Sequence, residues 1–269
     1  MILPKERNWR CIMAWGNSLF EMTTDEAKQK LAQTRMAVIP TGSIEQHGPH
    51  LPLGTDAMAG IVFGRRVAEK LNALFVPFSV IGVTPYHMSW PGTLTLKQST
   101  YINMFIDVCE SLYRHGIREV LVTNGHEGNI PPLRVAADEV QQKLDGVRIV
   151  FANTWVVVNK LFPDLEQTHA AAMETMEVLC YDPSLVHLER ATDPSELEAG
   201  RTGHQWSRGN DIFVMMKDFK EVALTGWYGS LEGATVDRVP EVLEKVSDYI
   251  AIQAMAMFKN LREVENAGR

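Results

Sequence analysis

The chain has 269 residues, of which 45% are hydrophobic and 22% are charged, a balance typical of folded globular proteins rather than disordered ones. Its formal net charge is -7 and its lysines and arginines are scattered, which argues against nucleic acid or a membrane surface as a partner. The longest apolar runs, such as residues 74–83, are too short to span a membrane, and no apolar stretch precedes the first charges, so we expect a cytoplasmic protein.

Strand-like and helical segments alternate along the first half of the chain. Residues 36–43 predict a short buried strand, and residues 56–74 predict the helix that follows it. Residues 74–83 are again strand-like. Apolar residues then recur at helical spacing from residue 98 to residue 115, and Gly116 ends that predicted helix.

The alternation continues in the second half. Residues 118–124 give the clearest buried strand, and Asn129 with two prolines opens a further helix. Residues 147–154 predict the next strand, and a final helix is expected near residues 240–262. Alternating strands and helices indicate an α/β layered domain with a mainly parallel sheet.

The length allows either one large α/β domain or two small ones. Residues 182–210 are richer in charge, Gly, Ser and Pro, and we interpret them as a long excursion rather than a linker. We therefore predict a single domain over residues 1–269.

The three cysteines, Cys11, Cys109 and Cys180, are widely spaced and odd in number. That pattern favours neither a disulfide framework nor a zinc site made of cysteines. Cys109 lies on the apolar face of a predicted helix and is interpreted as a core residue. None of the three is assigned a catalytic role.

A short run after the first predicted strand, SIEQHGPHLPLGTD from Ser43 to Asp56, is rich in side chains that bind metals. Glu45 and His47 are two residues apart, so on an extended segment both project to one side while Gln46 projects to the other. Such a pair suits two ligands on neighbouring metal ions.

Glycines and prolines between residues 48 and 54 force turns that can bring Asp56 back to the same point, just before its helix. Taken alone, Asp56 would be interpreted as the N-cap of that helix. His50 is left out of the predicted site, because a loop histidine is more often a hydrogen-bonding or surface residue.

Two further segments carry candidate ligands. His126 follows a buried strand on a glycine-bounded turn, which could be only a turn capped by Asn129, yet such a turn needs no histidine. Residues 170–179 are apolar on almost every side, so Glu174 must be paired or metal-bound if it is buried. His169 is expected just before that helix, whose positive end keeps the imidazole neutral and able to accept a proton.

Each of these residues has a structural explanation when it is considered singly. Together they form a set without cysteine at the ends of strands, where parallel sheets bind ligands. That set fits a binuclear site for Zn, Mn or a similar divalent ion, and its members are Glu45, His47, Asp56, His126 and Glu174.

Three motifs make the sequence resemble the creatininase (creatinine amidohydrolase) family. They are GSIEQHGPHLPLGTD, NGHEGN beside the family's usual NGHGGN, and HAAAMET beside its usual HAGExET. MSWPGTLTL and GWYGSLEGAT resemble two further family segments, and the likeness extends from about Met36 to about Ala234.

The resemblance implies a three-layer α/β/α sandwich with a mainly parallel sheet, usually assembled as a homohexamer, and a two-metal hydrolytic site for a small-molecule substrate. By motif position, Glu45, Asp56 and His126 would hold one ion. His47, Asp56 and Glu174 would hold the other, so that Asp56 bridges. His169 matches the histidine that the family uses for proton transfer.

The sequence also departs from the family pattern where substrate is handled. Creatininase carries an aromatic residue and then an acid after the histidine of the second motif, whereas here Glu127 comes first and Gly128 follows. Ala171 and Ala172 replace the usual Gly and Glu of the third motif, which removes a carboxylate near the ligands. These departures argue against creatinine itself as the substrate.

Further pocket residues are weaker candidates. His87 precedes the WPGT turn and is either a pocket residue or a packed, hydrogen-bonded histidine. Trp155 follows a predicted strand and is either a pocket residue or a core aromatic. Glu127 is a candidate for substrate contact, and His204, Trp206 and Arg208 could form a lid or a subunit contact.

Three hypotheses for function remain open. The first is a hydrolase with two divalent ions, Zn and/or Mn, that opens a cyclic amide of a small polar metabolite. The second keeps the same ligands and His169 but cleaves a C–C bond of an oxidised, inositol-like cyclic diketone, as a 3-dehydro-scyllo-inosose hydrolase would. The third is a non-catalytic metal-binding or scaffold protein, against which the complete ligand set counts.

Overall fold

A parallel four-stranded sheet lies at the centre of the fold in the computed structural model, which describes residues 17–192, 218–221 and 223–267. The strand order is β2-β1-β3-β4, and the strands are β1 (Met36–Thr41), β2 (Leu74–Phe75), β3 (Glu119–Asn124) and β4 (Arg148–Asn153). Every residue of β1 and of β3 is buried, as expected of strands covered by helices on both faces.

The register aligns the carboxyl ends of the three longer strands. Met36 pairs with Glu119 at one end of β1, and Thr41 pairs with Asn124 at the other. Asn124 in turn pairs with Asn153 at the end of β4. The loops that leave these strands therefore begin side by side.

Seven α-helices lie in the described residues, and they cover both faces of the sheet. They are α1 (Thr24–Leu31), α2 (Thr55–Lys70), α3 (Gln98–Arg114), α4 (Ile130–Lys143), α5 (Thr154–Leu161), α6 (Ala172–Tyr181) and α7 (Val239–Ala267). One core joins α2, α5, α6 and α7 to one face of the sheet, and a second core joins α1, α3 and α4 to the other.

Side chains of each strand alternate between these two cores. In β1, Val38 lies in the core under α2 whereas Ala37 and Ile39 lie in the core under α3, because successive strand residues point to opposite faces. Helices on both faces of a parallel sheet make a three-layer α/β/α sandwich, which confirms the predicted fold class.

The predicted strand over residues 74–83 is wrong beyond its first two residues. Phe75 is the last residue of β2, and one further bond runs from the Val76 N–H to the Val38 carbonyl at 2.9 Å. Pro77 then follows, and a proline has no N–H to continue the pairing. The segment instead continues as a loop to residue 84.

Asn129 opens the helix region as predicted, but its side chain does not cap α4. Its amide accepts the Val83 N–H at 3.0 Å and donates to the Gly42 carbonyl at 2.9 Å. The side chain therefore joins the loop that follows β2 to the end of β1. Asn129 holds the N-cap position of α4, but the alternative of a turn capped by its side chain is not what the structure has.

Cys109 is buried on the inner side of α3, as predicted, and Cys180 is buried as well. Cys11 lies outside the described residues. No helix among the residues described is long and apolar enough to cross a membrane.

Replacing Thr23 by alanine is expected to lower the free energy of unfolding by about 1 kcal/mol. Thr23 is the N-cap of α1 and forms a reciprocal capping box with Glu26, so alanine leaves the Glu26 N–H without its side-chain acceptor, while the bond from the Thr23 N–H to Glu26 remains. Urea denaturation would measure the change, with Thr235→Ala as a control, because the exposed side chain of Thr235 makes no capping hydrogen bond. An unchanged midpoint for Thr23→Ala would contradict the capping role.

Candidate metal centre

The predicted ligands gather where the order of the sheet reverses. The chain passes from β1 outward to β2, and β3 then lies on the other side of β1. Open α/β sheets bind ligands in the crevice at such a switch point, outside the carboxyl ends of the strands. Glu45 leaves the end of β1 and His126 leaves the end of β3, so both side chains border this crevice.

Glycines let the N-terminus of α2 come close to both strand ends. A Cβ atom at Gly42 would lie 2.4 Å from the Ala57 backbone, and one at Gly125 would lie 2.1 Å from the Asp56 carbonyl oxygen. Only glycine fits such distances without movement of the backbone. Asp56, in the first turn of α2, is thereby brought beside the loops from β1 and β3.

Asp56 is not the N-cap of its helix, since that position belongs to Gly54. Its carboxylate lies between two buried histidines instead. Oδ1 is 3.1 Å from His47 Nε2, and Oδ2 is 2.9 Å from His126 Nδ1. Each oxygen thus faces a different imidazole, which is the arrangement of a bridging carboxylate.

Each of these two histidines places its second ring nitrogen on a backbone carbonyl. His47 Nδ1 lies 2.9 Å from the carbonyl oxygen of Glu45, and His126 Nε2 lies 3.1 Å from that of Val83. Carbonyls only accept, so the protons sit on these nitrogens and the nitrogens that face Asp56 are unprotonated in the neutral rings. This is the usual outer support of a metal-ligating histidine.

Glu45 and Glu174 complete the ring of donors. Glu45 Oε2 accepts a hydrogen bond from the Thr84 hydroxyl and lies 3.6 Å from His126 Nδ1. Glu174 Oε2 lies 3.4 Å from His47 Nε2. Thr84 was not predicted from the sequence, because nothing in its neighbourhood suggests contact with residues 39 positions away.

The turn before α6 aims Glu174 into the crevice. Ala170 has a φ of 57°, a conformation that costs a non-glycine residue about 1 kcal/mol or more. Its N–H donates to Glu174 Oε2 at 2.5 Å, and its carbonyl oxygen lies 2.8 Å from His50 Nε2. His50 therefore has the hydrogen-bonding role expected of it, outside the ring of donors.

Three overlapping groups could each hold a metal ion, with donor atoms that all lie within 4.8 Å of one another. Two of them share Asp56, and their members are Glu45, Asp56 and His126 in one and His47, Asp56 and Glu174 in the other. The third consists of Glu45, His47 and His169. His47 Nε2 and Asp56 Oδ2 are buried and lack a hydrogen bond in the part of the chain described, so the donor set fits a cation.

The buried carboxylates of the donor set stabilise the charged forms of its two histidines. Burial alone would lower the pKa of His47, but the charges of Asp56 and Glu174 raise it to about 10. Burial likewise opposes the charged form of His126, and Glu45 and Asp56 raise its pKa to about 9. A divalent cation would replace these protons, since bound histidines must be neutral.

His169 lies directly against the ring of donors. Its imidazole centroid is 4.4 Å from that of His47, and Nδ1 is 3.8 Å from Glu45 Oε1. Burial, followed by the charges of His47 and His87, holds the pKa of His169 well below its ordinary value. The neutral imidazole is therefore favoured, as predicted, but burial rather than the end of α6 is the main cause.

Gln46 departs from the expected alternation of side chains. It was predicted to point away from Glu45 and His47, but residues 45–47 form no regular strand and the Gln46 side chain is buried in the same crevice. Its Nε2 lies 3.0 Å from His87 Nδ1 and 3.0 Å from His169 Nε2. The two-residue period applies only to extended strands.

The further pocket candidates that the structure describes lie in different surroundings, and of these only His87 lies in the crevice. His87 lies in the crevice, with Nε2 3.5 Å from Glu45 Oε1. Trp155 is half-buried in α5 and packs against the core between α2 and α7, which favours the core interpretation. Glu127 is exposed at the start of a 3-10 turn. His204, Trp206 and Arg208 lie outside the described residues.

Phe219 is a residue that the sequence did not indicate. Its ring stacks on His87 with centroids 4.5 Å apart and meets His169 edge-on at 4.6 Å. It comes from a segment far along the chain with no motif of its own. A lone phenylalanine carries no sequence signal for packing against catalytic-type histidines.

Histidines and carboxylates gathered at the switch point of a parallel α/β sheet form the candidate active site of an α/β enzyme. The sequence model of the family Creatininase, described as creatinine amidohydrolase, matches residues 20–253. This chain belongs to the creatininase family, as its match covers well over half of the residues.

Curated relatives carry several hydrolase names. Creatinine amidohydrolase of Pseudomonas putida is 28% identical over 64% of this chain and 75% of its own length. The 3-dehydro-scyllo-inosose hydrolase of Thermotoga maritima is 26% identical over 81% of this chain and 70% of its own. A mycofactocin precursor peptide peptidase of Mycobacterium ulcerans is 32% identical, over 46% of this chain and 52% of its own length.

Solved structures agree on the fold. The structure "Creatininase Mn" superposes with a TM-score of 0.74 and 24% identity, covering 90% of this chain and 98% of the other. A creatinine amidohydrolase (creatininase) structure gives a TM-score of 0.72 at 25% identity with the same coverage.

Proposed function

We propose that this chain is a hydrolase that depends on two divalent ions, Zn and/or Mn, and opens a cyclic amide of a small polar metabolite at its C–N bond. One observation carries the proposal. Asp56 presents one oxygen to His47 at 3.1 Å and the other to His126 at 2.9 Å, so a single buried carboxylate joins two groups of donors.

Each group supplies three protein ligands for one ion. Glu45, Asp56 and His126 would hold the first, and His47, Asp56 and Glu174 would hold the second, with Asp56 bridging. Imidazole and carboxylate donors without thiolate suit Zn or Mn. Similar structures are described as "Creatininase Mn" and as a "Zn-Zn type" creatininase, which supports both metals as candidates.

Bound divalent ions supply Lewis acidity, which polarises a substrate carbonyl and makes water a stronger acid. His169 supplies the proton transfer. His169 Nε2 can donate a hydrogen bond to the Gln46 carbonyl oxygen at 2.9 Å, which leaves an unprotonated Nδ1 facing Glu45. Nδ1 can take a proton from the attacking water and pass it to the departing nitrogen.

Creatinine itself is disfavoured as the substrate. A Cβ atom at Gly128 would lie 2.5 Å from His126 Nε2 and 2.3 Å from the Val83 carbonyl oxygen, so no acid fits at that position without a shift of the backbone. Glu127 is exposed and cannot take its place in the crevice from there. The crevice therefore suits a cyclic substrate that is not bound by a carboxylate from the turn at Glu127 and Gly128.

A second candidate is hydrolysis of a C–C bond in an oxidised, inositol-like cyclic diketone. The Thermotoga maritima inosose hydrolase matches 81% of this chain, a larger share than the Pseudomonas putida amidohydrolase matches. A polarised ketone would need the same ligands and the same proton transfer by His169. The two candidate reactions differ only in the leaving atom, which is nitrogen in the first and carbon in the second.

The test is activity of protein loaded with Zn or Mn against two panels, cyclic ureides and lactams in one and oxidised inositols in the other. We expect turnover in the first panel that is lost with a chelator and returns when metal is added. Turnover confined to the second panel would establish the C–C reaction. No turnover together with no bound metal would favour the scaffold hypothesis.

His169→Ala is expected to lower kcat at least about 100-fold, the usual share of general acid–base catalysis, while metal content and fold are kept. His115→Ala is the matched control, because His115 is exposed and follows the last residue of α3. Equal activity of the His169→Ala variant and the parent protein would remove His169 from the mechanism.

We also propose a cytoplasmic homohexamer built from one domain per chain, from the family resemblance and the apolar residues left exposed on α7. Ile252 and Met257 are among these and are 64% and 49% exposed. Sedimentation as a monomer at micromolar concentration would contradict the assembly.

A further inference from the structure

The buried amide of Gln46 lies between two histidines of the crevice. Its Nε2 is 3.0 Å from His87 Nδ1 and also 3.0 Å from His169 Nε2. Gln46 is 4% exposed, so water cannot readily take over these contacts. The protonation of the rings must therefore agree with what the amide offers.

The orientation of the amide follows from its other end. Gln46 Oε1 accepts the N–H of Gly48 at 3.2 Å, which only an oxygen can do. The nitrogen therefore faces the two rings, and an amide nitrogen only donates. A ring nitrogen that it bonds must be unprotonated.

The Gln46 amide fixes the tautomer of His87. Within the described residues, no group other than Gln46 hydrogen-bonds His87 Nδ1. Nδ1 must then accept, and the single proton of the neutral ring lies on Nε2. That nitrogen faces Glu45 Oε1 at 3.5 Å, a distance too long for a direct hydrogen bond, so its N–H stays available to another oxygen.

His169 is not constrained in the same way. Its Nε2 can accept from the Gln46 amide at 3.0 Å or donate to the Gln46 backbone carbonyl at 2.9 Å. The two arrangements exclude each other, so the proton of this ring can change nitrogen. A histidine that transfers protons must be able to move its proton from one ring nitrogen to the other, whereas a histidine that only donates a hydrogen bond need not.

We propose that Gln46 is a positioning residue that fixes His87 as an N–H donor, and that His87 hydrogen-bonds the substrate oxygen on which negative charge develops. The role of the substrate oxygen rests on the proposed hydrolysis, whereas the proton position on His87 does not. Donors held at a developing oxyanion stabilise the transition state more than the ground state.

Phe219 keeps the donor ring in place. It lies parallel to His87 within 17°, at a centroid distance of 4.5 Å. A flat aromatic neighbour prevents the imidazole from turning its N–H away from Glu45. Gln46 fixes which nitrogen bears the proton, and Phe219 fixes where that nitrogen points.

The first test reads the proton position directly. In zinc-loaded protein with nitrogen-15 labelled histidine, we expect His87 to show a protonated Nε2 and a bare Nδ1, with the signals assigned by their loss in His87→Gln. Gln46→Glu replaces the donor by an acceptor, so His87 should gain a proton on Nδ1. Gln33→Glu, the same change at an exposed position, should leave His87 unaltered.

A protonated Nδ1 on His87 in the parent protein would overturn the proposal, even if Gln46→Glu fails to fold. An unchanged His87 in a folded Gln46→Glu variant would also overturn it. Neither result depends on a known substrate. Failure of the proposed function would appear separately, as correct proton positions without turnover in either substrate panel.

The second test separates the donor from a packing residue. His87→Leu removes the N–H and is expected to lower kcat about 100-fold with little change in KM, as loss of one oxyanion donor does. His87→Gln keeps an N–H donor and should recover part of that loss. Equal kcat values for the two variants, or an effect on KM alone, would contradict the donor role.

Discussion

Asp56→Asn is expected to remove at least one metal ion per chain and to abolish turnover. Asparagine has the same shape but offers one oxygen, and its NH2 group faces either His47 Nε2 or His126 Nδ1, which are unprotonated when they bind a metal. One of the two donor groups then loses a ligand. Residues that merely support a ligand change metal affinity about 10–100-fold, so loss of a bridging carboxylate should exceed about 100-fold.

Metal content by elemental analysis, metal affinity by calorimetry and turnover would measure the effect. Asp25→Asn is the matched control, because Asp25 also lies in the first turn of a helix but is exposed and far from the crevice. If both variants lost the same small amount of stability and kept their metal, Asp56 would be only a helix-terminal acid. The two-metal proposal would then be wrong.

Gly125→Ala is expected to lower the free energy of unfolding by about 3 kcal/mol or more, at the upper end of the effects of overpacking. The added Cβ would lie 2.1 Å from the Asp56 carbonyl oxygen and 3.1 Å from the Ala59 Cβ. The first contact is with backbone, so the end of β3 and the start of α2 must separate. Asp56 moves with α2, and metal affinity should fall together with stability.

Gly54→Ala is the control for Gly125→Ala, since Gly54 lies at the same helix terminus and also has a negative φ of -88°. A Cβ there would meet only side-chain ends, those of Met58 at 3.3 Å and Ile44 at 3.9 Å. We expect a loss of about 1 kcal/mol, because alanine is a poorer N-cap residue than glycine. Urea midpoints would compare the variants, and a Gly125→Ala protein as stable as Gly54→Ala would contradict the close approach.

The layers of the fold could be predicted from the sequence, because each long strand is a largely apolar run between turn-forming residues. The prediction failed at β2, where Val76 makes the last bond and Pro77 cannot continue. The run from residue 74 to residue 83 is apolar enough for a strand, and its pairing depends on which neighbour it meets. That is a property of the assembled sheet and not of the segment.

The candidate centre was predictable in part for a similar reason. Glu45, His47 and His126 sit beside glycines at predicted strand ends, and such positions in a parallel sheet share one edge. The direction of the Gln46 side chain was predicted wrongly, since the direction of a loop side chain follows no period. Thr84 and Phe219 had no signal, because each reaches the crevice through contacts between distant parts of the chain.

The pairing of β1 with β3 also affects how fast the chain folds. Thr41 and Asn124 are hydrogen-bonded neighbours although 83 residues separate them in the chain. A loop of that length must close before its contacts can stabilise anything, so folding should be slow for a chain of this size. Glu45 and His126 can meet only after that closure, because each follows one of the two paired strands. A newly synthesised chain would therefore need its central pair of strands before it could hold an ion between them.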